Sequence, residues 1–90
     1  MGFIQFNIDD WLVFVIDQIN TLLAKFNAEI DISYIDEPMT GKKMRFTSND
    51  LYELYFILCK KTEKTILIAN YDDFYTIRNI ANTLHEAFAN

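Results

Sequence analysis

DLYELYFILCKK, residues 50–61, is the stretch whose reading decides the fold. As a strand, its core 54–59 is an unbroken apolar run that would sit in the middle of a sheet. As a helix, Leu51, Leu54, Tyr55 and Leu58 share a face, and Asp50 with Glu53 resembles a capping box. Tyr, Phe and Ile dominate the run, which favours the strand. The strand then turns through KKTEK, residues 60–64, into a second strand at TILIANY, residues 65–71.

Upstream, EIDISYI, residues 29–35, alternates Ile30, Ile32 and Tyr34 with Glu29, Asp31 and Ser33, the period of a half-buried strand. DEPMTGKK supplies turn residues in Pro38 and Gly41. Met44 and Phe46 then alternate with Lys43, Arg45 and Thr47. The spacing predicts a hairpin closed by a loop of about six residues.

The two ends of the chain are helical in pattern. Residues 8–27 place Ile8, Trp11, Leu12, Val15, Ile16, Ile19, Leu22, Leu23 and Phe26 on one stripe. Asn7 can cap this helix, Asp9 and Asp10 favour its first turn, and Phe6 can staple onto Trp11. Val13 and Phe14 fall outside the stripe, which calls for either cover by residues 3–6 or a subunit contact. Residues 73–88 place Phe74, Ile77, Ile80, Ala81, Leu84, Ala87 and Phe88 on a second stripe, with Asp72 and Asp73 at the start and Tyr75 pointing away.

The resulting expectation is a single α+β domain over residues 1–90. It is a two-layer sandwich in the order α-β-β-β-β-α, an antiparallel meander with terminal helices, and α-β-β-α-β-α is the alternative. A sheet covered on one face, with an apolar central strand, needs its other face covered too. That argues for a homodimer, with a monomer carrying one helix on each face as the competing solution.

Eight Phe, five Tyr and one Trp against two Gly and one Pro give a short chain enough large side chains to order itself. The single cysteine, Cys59, excludes an internal disulfide and suits a reducing compartment. No targeting pattern is read at the N-terminus, and six-residue apolar runs fall far short of a bilayer span. The protein is expected to be cytoplasmic, with no membrane partner. Abundant Ile and Asn, and Lys over Arg, suit an AT-rich genome such as that of a low-GC bacterium or its phage.

Familiar catalytic patterns are missing. Gly2 and Gly41 cannot build a phosphate loop or a nucleophile elbow. One Cys and one His cannot build a zinc site, and no cofactor or metal is expected. Cys59 and His85 could formally pair as a nucleophile and base, but Cys59 reads better as a small core residue. The chain is therefore not expected to be an enzyme.

Charge is uneven along the chain, although the net is −5. Asp9, Asp10, Asp17, Glu29, Asp31, Asp36 and Glu37 crowd the first part and could form a ridge facing a basic partner. Glu29 and Asp31, two apart on one strand face, would match phosphate spacing. Phe14 and Tyr75 could supply apolar anchors. This pattern suits a small protein-binding module, for which a phage-encoded inhibitor or anti-defence factor that occludes a basic surface is the concrete form. The rival reading uses Lys42, Lys43, Lys60, Lys61 and Lys64, gathered at one end of the sheet, to hold a nucleotide or RNA. A purely structural homodimer within a larger assembly is the third.

Overall fold

Asn7 fixes where the first helix begins. Its side chain accepts a hydrogen bond from the Asp10 amide at 2.9 Å, and Asp10 accepts one from the Asn7 amide at 3.0 Å. In the computed structural model, which describes residues 5–66 and 71–88, helix α1 runs Ile8–Leu23. Phe6 packs edge-on against Trp11 with ring centroids 4.9 Å apart, the staple that the sequence predicts. Trp11, Leu12, Val15, Ile16 and Ile19 are buried. The helix ends earlier than expected, tightening into a 3₁₀ turn at Ala24–Phe26 and stopping at Asn27 in the left-handed region. Phe26 is consequently 66% exposed instead of completing the apolar stripe.

The predicted sandwich is not what forms. Among the described residues there is no strand: the molecule is three helices joined by irregular segments. Helix α2 spans Ser48–Thr62 and helix α3 spans Ile77–Phe88. α1 packs on both of them, most extensively on α3.

The deciding stretch 50–61 is thus helical. Thr47 and Asp50 exchange side-chain-to-amide hydrogen bonds at 3.2 and 2.8 Å, so the box lies three residues earlier than Asp50 with Glu53. Leu54, Leu58 and Thr62 are buried, with Leu51 and Tyr55 packed beside them. Glu63 stops the helix in the left-handed region (φ 56°). The amides of Glu63 and Lys64 return to the carbonyls of Lys60 and Cys59. The alternative order with a helix here matches this element, but none of the strands around it forms among the described residues.

α3 starts later than residue 73. Tyr71–Phe74 is a 3₁₀ turn, and Thr76 and Asn79 repeat the reciprocal capping pattern at 3.1 Å each way. Asp72 and Asp73 therefore precede the helix by several residues. Ile77, Ile80, Ala81 and Leu84 are buried, as their spacing predicts. The expected strand at 65–71 lies mostly outside the described residues. Thr65 and Ile66 are irregular, and Tyr71 already belongs to the 3₁₀ turn.

Residues 27–47 replace the hairpin with a stitched irregular segment. The Asn20 side chain takes both backbone groups of Ile30, accepting from its amide at 2.8 Å and donating to its carbonyl at 3.1 Å. A neighbouring strand would otherwise have to satisfy those groups. Ile32, predicted buried, is 56% exposed in a 3₁₀ turn spanning Ile32–Tyr34. Met44 and Phe46 are buried as expected, but Arg45 between them has φ 58°, which a strand does not allow. One bond, Phe46 amide to Met39 carbonyl at 2.9 Å, stands where a ladder was expected. Met39 in turn donates to the Tyr75 carbonyl at 2.8 Å, and the Arg78 amide donates to the Ile35 carbonyl at 3.0 Å. Buried Ile30, Met39, Met44 and Phe46 make this segment part of the core.

Candidate interaction surface

A helix with a continuous apolar run cannot hide all of it. Its period of 3.6 sends Leu54 and Leu58 inward and Tyr52 and Phe56 outward. Each of those two aromatic side chains is 65% exposed, and their rings stack at 6.4 Å. Tyr55 touches the edge of the same pair, 6.0 Å from Phe56. Beside them, Lys25 reaches Glu53 at 4.0 Å and lies over the Phe26 ring at 5.3 Å. The 3₁₀ turn after α1 is thus linked to α2 through this ion pair.

Toward its C-terminus the face opens into a shallow groove of about 430 Å³, lined by Phe56, Cys59, Lys60, Glu63, Lys64 and Thr65. Lys64 donates to the Ala87 carbonyl and sits 4.6 Å from the Phe88 ring centre, fastening this end of α2 to α3.

The predicted acidic ridge is broken up by structural duties. Asp10 caps α1. Asp31 accepts from the Ser33 hydroxyl and amide at 2.5 and 2.9 Å, and these bonds hold its carboxyl below the usual range. Asp36 accepts from Arg78 Nε at 2.7 Å and from a second guanidinium nitrogen at 3.2 Å. That hydrogen bonding lowers its pKa and raises that of Arg78. Glu37 pairs with Lys43 at 3.7 Å. Asp9, Asp17 and Glu29 remain exposed with no ion pair among the described residues. The strand geometry that matched Glu29 and Asp31 to phosphate spacing is absent.

Phe14 is half-buried and meets the rings of Phe6 and Trp11 at 6.3 and 5.5 Å, so cover by the preceding residues explains it. Val13 stays 56% exposed and Tyr75 52%. Of the lysines, Lys42 and Lys43 lie ahead of α2 and Lys60 and Lys61 in its last turn. The antiparallel register that gathered them does not exist, and a helix of fifteen residues, about 22 Å long, intervenes along the chain. Cys59 is half-buried and His85 is exposed, and no hydrogen bond joins them.

Tyr52 and Phe56 went unnoticed as surface groups because a central strand would have buried them. The helical wheel of residues 50–61 carries the signal: once Leu51, Leu54, Tyr55 and Leu58 face inward, Tyr52 and Phe56 cannot. Among the described residues, no group of His, Cys, Asp and Glu is placed to hold a metal ion, and no helix is long and apolar enough to cross a membrane. No protein-family model, curated protein or solved structure matches the chain.

Proposed function

We propose that this chain is a non-catalytic protein-binding module that docks through the outer face of α2. The observation that carries this reading is the exposed, stacked Tyr52–Phe56 pair. Single exposed apolar residues are ordinary, but aromatic side chains grouped on one rigid helix are the usual anchors of interfaces. Lys25, paired with Glu53 on the same helix, lies over the exposed Phe26 ring. The net charge of −5, with Asp9, Asp17 and Glu29 exposed, adds long-range steering toward a basic partner surface. Occlusion of such a surface, as by an inhibitor, is a function that this architecture can perform without a reactive group. The lone Cys59 supports a cytoplasmic setting.

A photo-crosslinking residue placed at Tyr52 or Phe56, with Thr21 as the control position, tests the reading in native lysate. Both α2 positions are expected to give discrete protein adducts that the control does not. Equal labelling from Thr21 would remove α2 as the docking face.

A further inference from the structure

Residues 27–47 bury Ile30, Met39, Met44 and Phe46 in the core. Two of these side chains are thioethers, and none of the three helices carries a methionine. Met39 is only 1% exposed, and Met44 is buried beside it in the same segment. Between its ends, the segment's polar ties to the rest of the molecule, among the described residues, are Asn20 at Ile30, Asp36 with Arg78, and the backbone bonds joining Met39 to Tyr75 and Arg78 to Ile35. At its limits, Asn27 closes the turn after α1 and Thr47 caps α2, so the segment can swing off without breaking α1, α2 or α3. Arg45 is held at φ 58° between two buried side chains, and release relieves a backbone conformation that a residue with a Cβ disfavours.

We propose that Met39 and Met44 make this segment a peroxide-sensitive latch. The inference is independent of the docking face on α2. A hydroperoxide transfers one oxygen to a thioether. The sulfur gives up two electrons, the O–O bond breaks and an S–O bond forms. The proton of the transferred hydroxyl passes to the other oxygen, which leaves as water from hydrogen peroxide or as an alcohol from an organic peroxide. While the segment is seated, neither sulfur can be reached. Oxidation therefore runs through the open form, and its rate follows the population of that form.

The product cannot reseat as the thioether did. A sulfoxide oxygen is a strong acceptor and needs a donor when it is buried. The amides close to it along the chain are already committed: Met39 to the Tyr75 carbonyl, Gly41 to Pro38, Arg45 to Gly41 and Phe46 to Met39. An unpaired acceptor in so closed a site shifts the equilibrium toward the open form about tenfold or more. The segment then stays away from the helices, with Ile30 and Phe46 uncovered, until the sulfoxide is reduced. Reduction restores the thioether and lets the segment close, so the latch is reversible.

Dilute hydrogen peroxide acting on the full chain tests this, with peptide mass mapping, helical circular dichroism and the fluorescence of an apolar dye as readouts. Met39 and Met44 are expected to oxidise together, and much more slowly than in the urea-unfolded chain. Asn20→Ala, which removes the tie at Ile30, should raise both rates about tenfold. The oxidised chain should keep its helical signal and bind the dye, and the two epimer-specific methionine sulfoxide reductases with a thiol reductant should abolish that binding. The double variant M39L/M44L conserves side-chain volume and retains Cys59. After the same treatment it should bind no dye, and dye binding there would trace the effect to the thiol and overturn the inference. Oxidation as fast as in the unfolded chain, or rates unmoved by Asn20→Ala, would remove the gating by the segment. A doubly oxidised chain that binds no dye, or one that loses its helical signal, would show that the sulfoxides do not hold this segment open by itself.

Discussion

Asn20 does the work of a missing strand. One amide side chain on α1 satisfies both backbone polar groups of Ile30, and Ile30 is itself buried. Removing it leaves a part-buried amide and carbonyl without partners, at about 1–3 kcal/mol. Asn20→Ala should lower the urea midpoint accordingly, whereas Thr21→Ala, on the exposed side of the same turn, should change it little. Gln18 shows the opposite situation. Its side-chain oxygen is buried with no hydrogen-bond partner among the described residues. Exchanging it for the similar volume of Met removes that desolvated group, so Gln18→Met should stabilise the fold by about 1 kcal/mol. A fall in the melting midpoint would show that the amide is satisfied after all. Neither residue draws notice in the sequence, because a polar side chain gives no sign of being buried until the neighbouring segment is placed.

All three helices begin with the same device. A capping side chain and an acidic or amide side chain three residues on exchange hydrogen bonds: Asn7 with Asp10, Thr47 with Asp50, Thr76 with Asn79. Thr47→Ala should cost about 1 kcal/mol, and Thr76→Ala a similar amount, read as shifts in thermal midpoint. Only the first of these caps was legible in advance, together with the Phe6 staple and the inward faces of α1 and α3. The other two were misplaced, one to Asp50 with Glu53 and one to Asp72 and Asp73, because a carboxylate near a helix start is a plausible cap wherever it falls. The larger error came from residues 29–35 and 50–61. Alternation over seven residues marks a strand only if a neighbouring strand exists to pair with it, and here the side chain of Asn20 holds Ile30 instead. In the second stretch, the propensity of Tyr and Phe favours a strand. Tyr52 and Phe56 are surface groups on a helix whose inward face is filled by Leu54 and Leu58, with Tyr55 packed beside them. The candidate surface is invisible in the strand reading, since Tyr52 and Phe56 become exposed only when the period is 3.6.

For the molecule as a whole, ends distant in the chain are joined by few polar contacts. The Cα radius of gyration of 12.2 Å is that of a folded chain of about this length. Asp36 and Arg78 tie the irregular segment to α3 across 42 residues. Arg78 holds the Asp36 carboxyl below its ordinary value of 3.8. A lowered carboxylate binds fewer protons folded than unfolded, so its stabilisation is complete above about pH 4 to 5 and is lost as pH falls through the folded pKa. Melting midpoints of the wild type and Asp36→Asn should therefore differ near neutrality and converge in acid. A difference that persists unchanged to the lowest pH would contradict this role. Two backbone bonds share the seam, Met39 to the Tyr75 carbonyl and Arg78 to the Ile35 carbonyl. In deuterated solvent these two amides should exchange together, in a single event that lifts residues 27–47 away while the α1–α3 contact holds. The species so formed would have intact helices and a wetted patch of isoleucine, methionine and phenylalanine, and it is the conformer from which clumping and protease nicking would begin.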